Sequence, residues 1–354
     1  MVTLNSLQEA PSLGDFVRNV RQEEDSLRYY EIPGYCLKLY DDGKLGIDAK
    51  NLSGRFILSK KALGNLAKIA GVYWPFFLNN CDNKLRSIIL DYLLPQKVSL
   101  EERLSIVLRD GEVVHSIQNN KLLFARRAPI LDTVSNAKPE NISKEDLKVI
   151  EYEWNDSFDI SVIAPALRCH PKKDDTVAFG INVAQGRDGS VQVQGAAFRL
   201  ECCNGAVNRI CDSRQHRLRR PTNRPDGQRQ FLNRISVFAE EAWSQWSHQI
   251  EELERLTKVA LDQDYVTALR PRLRQAPFFL SLRVVNQILE RLRLEIDQQE
   301  GGATLYDLWN AMSYMGTHQR NLSNTYRTRL RYGAGEFTRH RSRVCKACRQ
   351  LLLS

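Results

Sequence analysis

With 354 residues, 42% of them apolar and 26% charged, the chain is composed like a globular protein with room for two domains, which excludes a disordered or fibrous polymer. No apolar run approaches the roughly 20 residues that span a bilayer, and the start lacks a basic flank followed by an apolar stretch, so a cytoplasmic protein with no membrane partner is expected. The net charge of +9 is uneven: residues 1–200 carry 26 Lys and Arg against 26 Asp and Glu, whereas residues 201–354 carry 25 against 16.

Taken in chain order, residues 1–31 mix charges with little periodicity and read as a loosely ordered arm. An α+β domain is expected over 32–208. YCLKLY-DDGK-LGID (35–48) reads as a strand, a glycine turn and a strand. Ser59 is placed to cap a helix through KKALGNLAKIA, with Leu63, Leu66, Ile69 and Ala70 on one face and Gly71 at its end. A second helix fits 82–94, where Leu85, Ile88, Ile89 and Tyr92 recur at helical spacing. RLSIVLR-DG-EVVHSIQ forms a second hairpin turning at Asp110-Gly111. β structure follows at 147–163 and 176–201, the latter folding back at GRDG (186–189).

An Arg-rich connecting segment, 209–234, leads to a helical region over 235–354 with a basic tail. Phe238, Trp243, Trp246, Ile250, Leu253, Leu256 and Ala260 predict one amphipathic helix over 235–261. Leu280–Ile296 is another, and Thr304 with Asp307 makes a capping box that opens a third, TLYDLWNAMSYMGTHQRN. The expected class is therefore α+β, a hairpin-rich first part followed by a mostly helical second part.

Three segments together resemble one family. LSKKALGNLAKIAGVYWPFFLNN is similar to its helix, aromatic turn, helix pattern. FGINVAQGRDGSVQVQGAAFRLECCNGAV is similar to its central hairpin running into a Cys-Asn-Gly turn, with His216 a little downstream. TLYDLWNAMSYMGTHQRN is similar to its late helix, an Asn-Ala pair followed by a spaced His. This is the phage/plasmid-like family of unknown function, and the resemblance spans roughly residues 55–320. AQGRDG and SIQNNKLLFA depart from the family pattern, and the basic tail after 320 has no counterpart in it. The resemblance implies a mobile-element context, DNA metabolism such as recombination or replication, and no established reaction.

The charge excess carries the functional expectation. Of the 25 basic residues after position 200, 23 are Arg, whose planar fork grips phosphate and stacks on bases where Lys acts as a point charge. Arg209, Arg214, Arg217, Arg219, Arg220, Arg224, Arg229 and Arg234 face only Asp212 and Asp226. Arg327, Arg329, Arg331, Arg339, Arg341 and Arg343 lie in a second run, interleaved with Tyr326 and Tyr332. Basic groups release counterions from phosphates and aromatic faces stack unpaired bases. These residues are the expected nucleic-acid contacts, to single strands or duplex backbone, with DNA favoured over RNA, no strong sequence specificity and self-assembly into a homo-oligomer. The bland alternative is a solvated charged surface.

His340, Cys345 and Cys348 supply three donors of a structural zinc site, with Cys202, Cys203, Cys211 or His216 as the fourth; two small thiols on a basic tail is the competing reading. A nuclease would need clustered carboxylates, and Asp156 with Asp159 or Asp174 with Asp175 are the nearest groupings. No phosphate-binding loop, nucleophile elbow or metalloprotease motif is present, so no enzyme is expected. The other alternative is an assembly protein that holds an acidic partner.

Overall fold

A computed structural model of the chain describes residues 7–99, 102–119, 125–154, 158–173, 175–186, 189–200, 204–208, 217–219, 221, 225–261, 270–271, 273–275, 278–297, 302–319 and 321–336. The first sheet is built from β1 (Leu27–Pro33), β2 (Leu37–Leu39), β3 (Lys44–Ala49), β4 (Leu52–Leu58), β5 (Arg103–Arg109) and β6 (Val113–Asn119), in the order β1-β5-β6-β4-β3-β2. Both expected hairpins are present, as β2–β3 and β5–β6. Asp110 (φ 54°) and Gly111 (φ 74°) turn the second one through the left-handed region that this pair tolerates. The β4–β6 contact is parallel, so this sheet is more than a run of hairpins.

Three helices cover this sheet: α2 (Lys60–Ile69), α3 (Trp74–Asn79) and α4 (Asn83–Lys97). Ser59 caps α2 as expected, its Oγ accepting from the Ala62 N–H at 3.1 Å and donating to the His115 carbonyl at 2.9 Å. Leu45, Phe56, Leu66, Phe77, Leu90 and Ile106 form the shared core. Of the face expected for α4, Ile89 packs against the core but the other three residues do not. Leu90 and Leu94 point inward, whereas Leu85, Ile88 and Tyr92 are 41, 57 and 68% exposed. Polar anchors accompany this rotation. Arg86 donates to the Phe77 and Leu78 carbonyls at 3.0 and 2.7 Å, and Ser87 Oγ donates to Asp41 at 2.5 Å. Those bonds lie on the inward 86–90–94 side of the helix, where Leu90 and Leu94 are buried, and Leu85, Ile88 and Tyr92 are left outside.

The second sheet runs β11 (Asn204–Asn208), β10 (Val191–Arg199), β9 (Asp175–Gln185), β8 (Phe158–Lys172), β7 (Lys148–Trp154), with β12 (Arg217–Leu218) also pairing β10. Its strands read as nearly continuous apolar runs because both faces are covered. On one face, Phe158, Ile160, Val162, Ile181, Val183 and Val193 meet α1 (Leu13–Asp25), α5 (Arg127–Asn136) and α6 (Gly227–Ser244). Farther along the strands Val177, Phe179 and Ala197 meet α7 (Trp246–Thr257), α8 (Leu282–Asp297), α9 (Leu305–His318) and α10 (Asn324–Glu336).

Three expectations are corrected by this packing. Within the expected arm of residues 1–31, α1 buries Leu13, Phe16, Val17 and Val20, and β1 is paired along its length with β5. The border at 209–234 does not separate two cores, since α6 to α10 pack on the sheet formed by residues 148–208. The helix expected over 235–261 is two helices that break at Gln245, one facing each end of the sheet. The chain is thus α+β, with the later helices completing the earlier sheet.

The N-terminal helix also caps another helix. Arg126, at the start of α5, offers no side-chain cap. Glu24 of α1 does so instead, accepting from the Arg127 and Ala128 N–H groups at 2.5 and 3.1 Å. Burial raises the Glu24 pKa, partly offset by those amides. His115, 6% exposed on β6, is the opposite case. Burial, then Lys61, Arg109 and Arg127, lower its pKa to about 3. The unfolded chain takes up this proton near pH 6.5 while the fold refuses it until about pH 3, so stability falls as pH drops through that window. Urea unfolding of His115→Gln is expected to lose about 2 kcal/mol less than wild type between pH 7 and pH 5.

Candidate nucleic-acid interface

The helical end of the molecule is fixed by polar contacts laid down in sequence. The predicted capping box is present, Asp307 Oδ2 accepting from the Thr304 N–H and Oγ1, each at 2.8 Å. Lys172 of β8 closes on the same carboxylate at 2.7 and 2.9 Å, tying α9 to the sheet. Beside it, Asp175 accepts from Arg199 Nε at 2.6 Å and from the Tyr306 hydroxyl at 2.8 Å. Helix α10 then crosses α9 at Gly316, where a Cβ would stand 2.7 Å from Arg331 Cγ and 3.0 Å from the Arg327 carbonyl.

This crossing decides which arginines of the second run reach solvent. Arg327 is buried and donates to the Gly316 and Thr317 carbonyls at 3.3 and 2.8 Å, satisfying the open end of α9. Arg331 is 2% exposed, bonds Asp159 Oδ2, and lies over the Tyr152 ring at 3.6 Å. Burial opposes its charge most strongly, but Asp159 together with Tyr152 and Tyr332 outweighs this and holds its pKa above the ordinary value. Both were expected on phosphate and both are structural. Tyr332 is corrected likewise: half-buried, its hydroxyl donates to Asn182 Oδ1 at 3.3 Å. Around Arg331 the sheet presents a buried polar row of Ser161, Asn182 and Gln194 on three adjacent strands. Gln194 Nε2 and Oε1 and Arg331 Nε and Nη1 have no hydrogen-bond partner.

Arg329, on the opposite side of α10, is exposed and stacks 5.8 Å from the Tyr326 ring. Its Nη1 donates to the Phe279 carbonyl at 3.3 Å. Arg219 and Arg234 are exposed, and Arg229 is exposed with a 2.8 Å ion pair to Asp226. Arg217 lies on β12, paired with Gln192 of β10. Arg209, Arg214, Arg220, Arg224, Arg339, Arg341 and Arg343 lie outside the described residues, as do His340, Cys345, Cys348, Cys202, Cys203, Cys211 and His216. Among the described residues, no group of three His, Cys, Asp or Glu side chains is placed to share a metal ion. Of the carboxylates considered for metal, Asp156 and Asp174 lie outside the described residues, and the other two are committed elsewhere: Asp159 to Arg331 and to Asn182 Nδ2 at 2.8 Å, Asp175 to Arg199 and Tyr306.

Sequence reasoning passed over the segment joining α7 to α8. Residues 265–289 hold four Arg and no Asp or Glu. Arg270, Arg274 and Arg283 are exposed there. The unbroken absence of acid was the available signal. No helix among the described residues is long and apolar enough to cross a membrane. No family model, no curated protein and no solved structure matches the chain.

Proposed function

We propose that the protein binds nucleic acid through the arginine-rich surface of its second half, gripping backbone rather than reading sequence. The observation that carries this reading is the exposure of Arg219, Arg234, Arg270, Arg274, Arg283, Arg293 and Arg329 in the part of the chain that holds the whole net charge. Arg327 and Arg331 are absent from this set because they are buried. Each phosphate neutralised releases counterions, so affinity for a fluorescent oligonucleotide is expected to fall linearly with salt on logarithmic axes. The triple variant Arg219→Gln, Arg234→Gln, Arg283→Gln should bind more weakly and reduce that slope by about 2 to 3. No binding in low salt, or a slope of zero, overturns the proposal.

A second reading holds the same arginines against an acidic protein. The observation that favours a protein partner is the apolar surface of α3 and α4, where Tyr73, Phe76, Ile88 and Tyr92 are 75, 48, 57 and 68% exposed. Competition between oligonucleotide and polyglutamate of matched charge separates the two readings: only the assembly reading expects polyglutamate to win.

A further inference from the structure

The loop before α8 holds two adjacent phenylalanines in opposite environments. Phe278 is 5% exposed, its ring against Gly333 and Met312, where a Cβ on Gly333 would come within 2.9 Å of either. Phe279 is 58% exposed, at φ 48°. A bulky residue rarely takes this left-handed backbone, and its cost is sustained only where surrounding bonds over-determine it. Here they do: the Gln275 carbonyl accepts from the Phe278 and Phe279 N–H groups at 2.9 and 2.8 Å, and the Leu273 carbonyl accepts from Leu280 at 3.0 Å. The Phe279 carbonyl takes Arg329 at 3.3 Å. The ring is therefore presented by a fixed backbone instead of hanging from a free loop.

Its neighbours are cationic and apolar. Arg274 precedes it within the same bonded loop, Arg283 opens the following helix, Arg329 reaches it from α10, and Leu282 is 48% exposed. No acid occurs in the sequence between residues 265 and 289. A fixed aromatic face amid arginines is the chemistry that holds an unpaired base and its flanking phosphates, whereas the bases of a duplex are stacked on one another and closed to it.

We infer that Phe279 is a stacking platform for a base of single-stranded nucleic acid, with Arg274, Arg283 and Arg329 on the adjoining phosphates. The inference rests on the nucleic-acid reading and narrows it to single strands. The test titrates the full chain, and its Phe279→Ala and Phe279→Trp variants, with a labelled 20-nucleotide oligothymidylate and with a duplex of equal length. Phe279→Ala is expected to weaken single-strand binding about 10-fold or more with an unchanged salt slope, and to leave duplex binding as it was. Phe279→Trp is expected to retain affinity, its indole emission quenched on binding.

Because the ring is exposed, the urea midpoint of each variant should match wild type, and this is measured alongside. Equal affinity of wild type and Phe279→Ala for the oligothymidylate overturns the platform while leaving the nucleic-acid reading standing. Equal losses on duplex and single strand also overturn it. Wild type that binds neither probe removes both.

Discussion

Replacing Arg331 with Met while leaving Asp159 in place is expected to lower the unfolding free energy by about 3–5 kcal/mol, the range for stranding one member of a buried ion pair. Arg331 is 2% exposed and Asp159 7%. Their bond joins α10 to β8 across 172 positions of sequence. Removing the guanidinium leaves Asp159 with Asn182 as its remaining partner and strips the cation from the Tyr152 ring. The double variant Asp159→Leu, Arg331→Met removes both charges and should recover much of the loss, since an apolar replacement of a buried pair is often neutral. Urea denaturation at pH 7 reads all three proteins. A single-variant cost below about 1 kcal/mol, the range of an exposed pair, would contradict the buried bridge. Oligonucleotide affinity, corrected for the folded fraction, should be unchanged in Arg331→Met, because this arginine does not face solvent.

Gly180→Ala should be as damaging by a different route. A Cβ at this position in β9 would lie 1.9 Å from the Val162 carbonyl oxygen and 2.8 Å from Ile163 Cα, both main-chain atoms of β8. The obstacle is a neighbouring strand and cannot be relieved by a rotamer change. The β8–β9 ladder would have to open at the centre of the sheet, at a cost of about 3 kcal/mol or more. Gly111→Ala is the informative contrast. Its φ of 74° disfavours a side chain, yet nothing lies within 4 Å of the added carbon, so about 1 kcal/mol is expected. Thermal unfolding monitored by circular dichroism ranks the pair, and equal shifts would mean that the close strand approach is not what Gly180 provides.

What could be read in the sequence was whatever local chemistry dictates. The Ser59 cap, the Asp110-Gly111 turn and the Thr304–Asp307 box each place a named polar group against backbone within a few residues, and each is present. Helix α1 carried a readable signal as well, Leu13, Phe16, Val17 and Val20 at i, i+3, i+4 and i+7, masked by the charges between them. The inward face of α4 was not legible. Leu85, Ile88 and Tyr92 have the spacing of a buried stripe, but Leu90 and Leu94 take the core, on the side where Arg86 and Ser87 bond residues outside the helix. The second arginine run fails for the same reason. Spacing on a helix does not say which cation meets a carboxylate 172 positions away, so Arg331 and Arg329 look alike in sequence and sit on opposite sides of α10. Phe279 lay hidden because a left-handed phenylalanine is a property of the loop's bonds, not of its composition.

The placement of α1 has a consequence for synthesis. Its apolar face is made within the first 25 residues, but the later elements that cover it, α5 and β7, end at Asn136 and Trp154. A ribosome adding roughly 5–20 residues per second needs about 6 to 26 s to supply the last of them. The first sheet, complete by Asn119, has all its strands in hand before that. Nascent chains stalled near residue 150 should therefore hold a finished first sheet beside a sticky N-terminal helix, an early client for any chaperone waiting at the tunnel mouth.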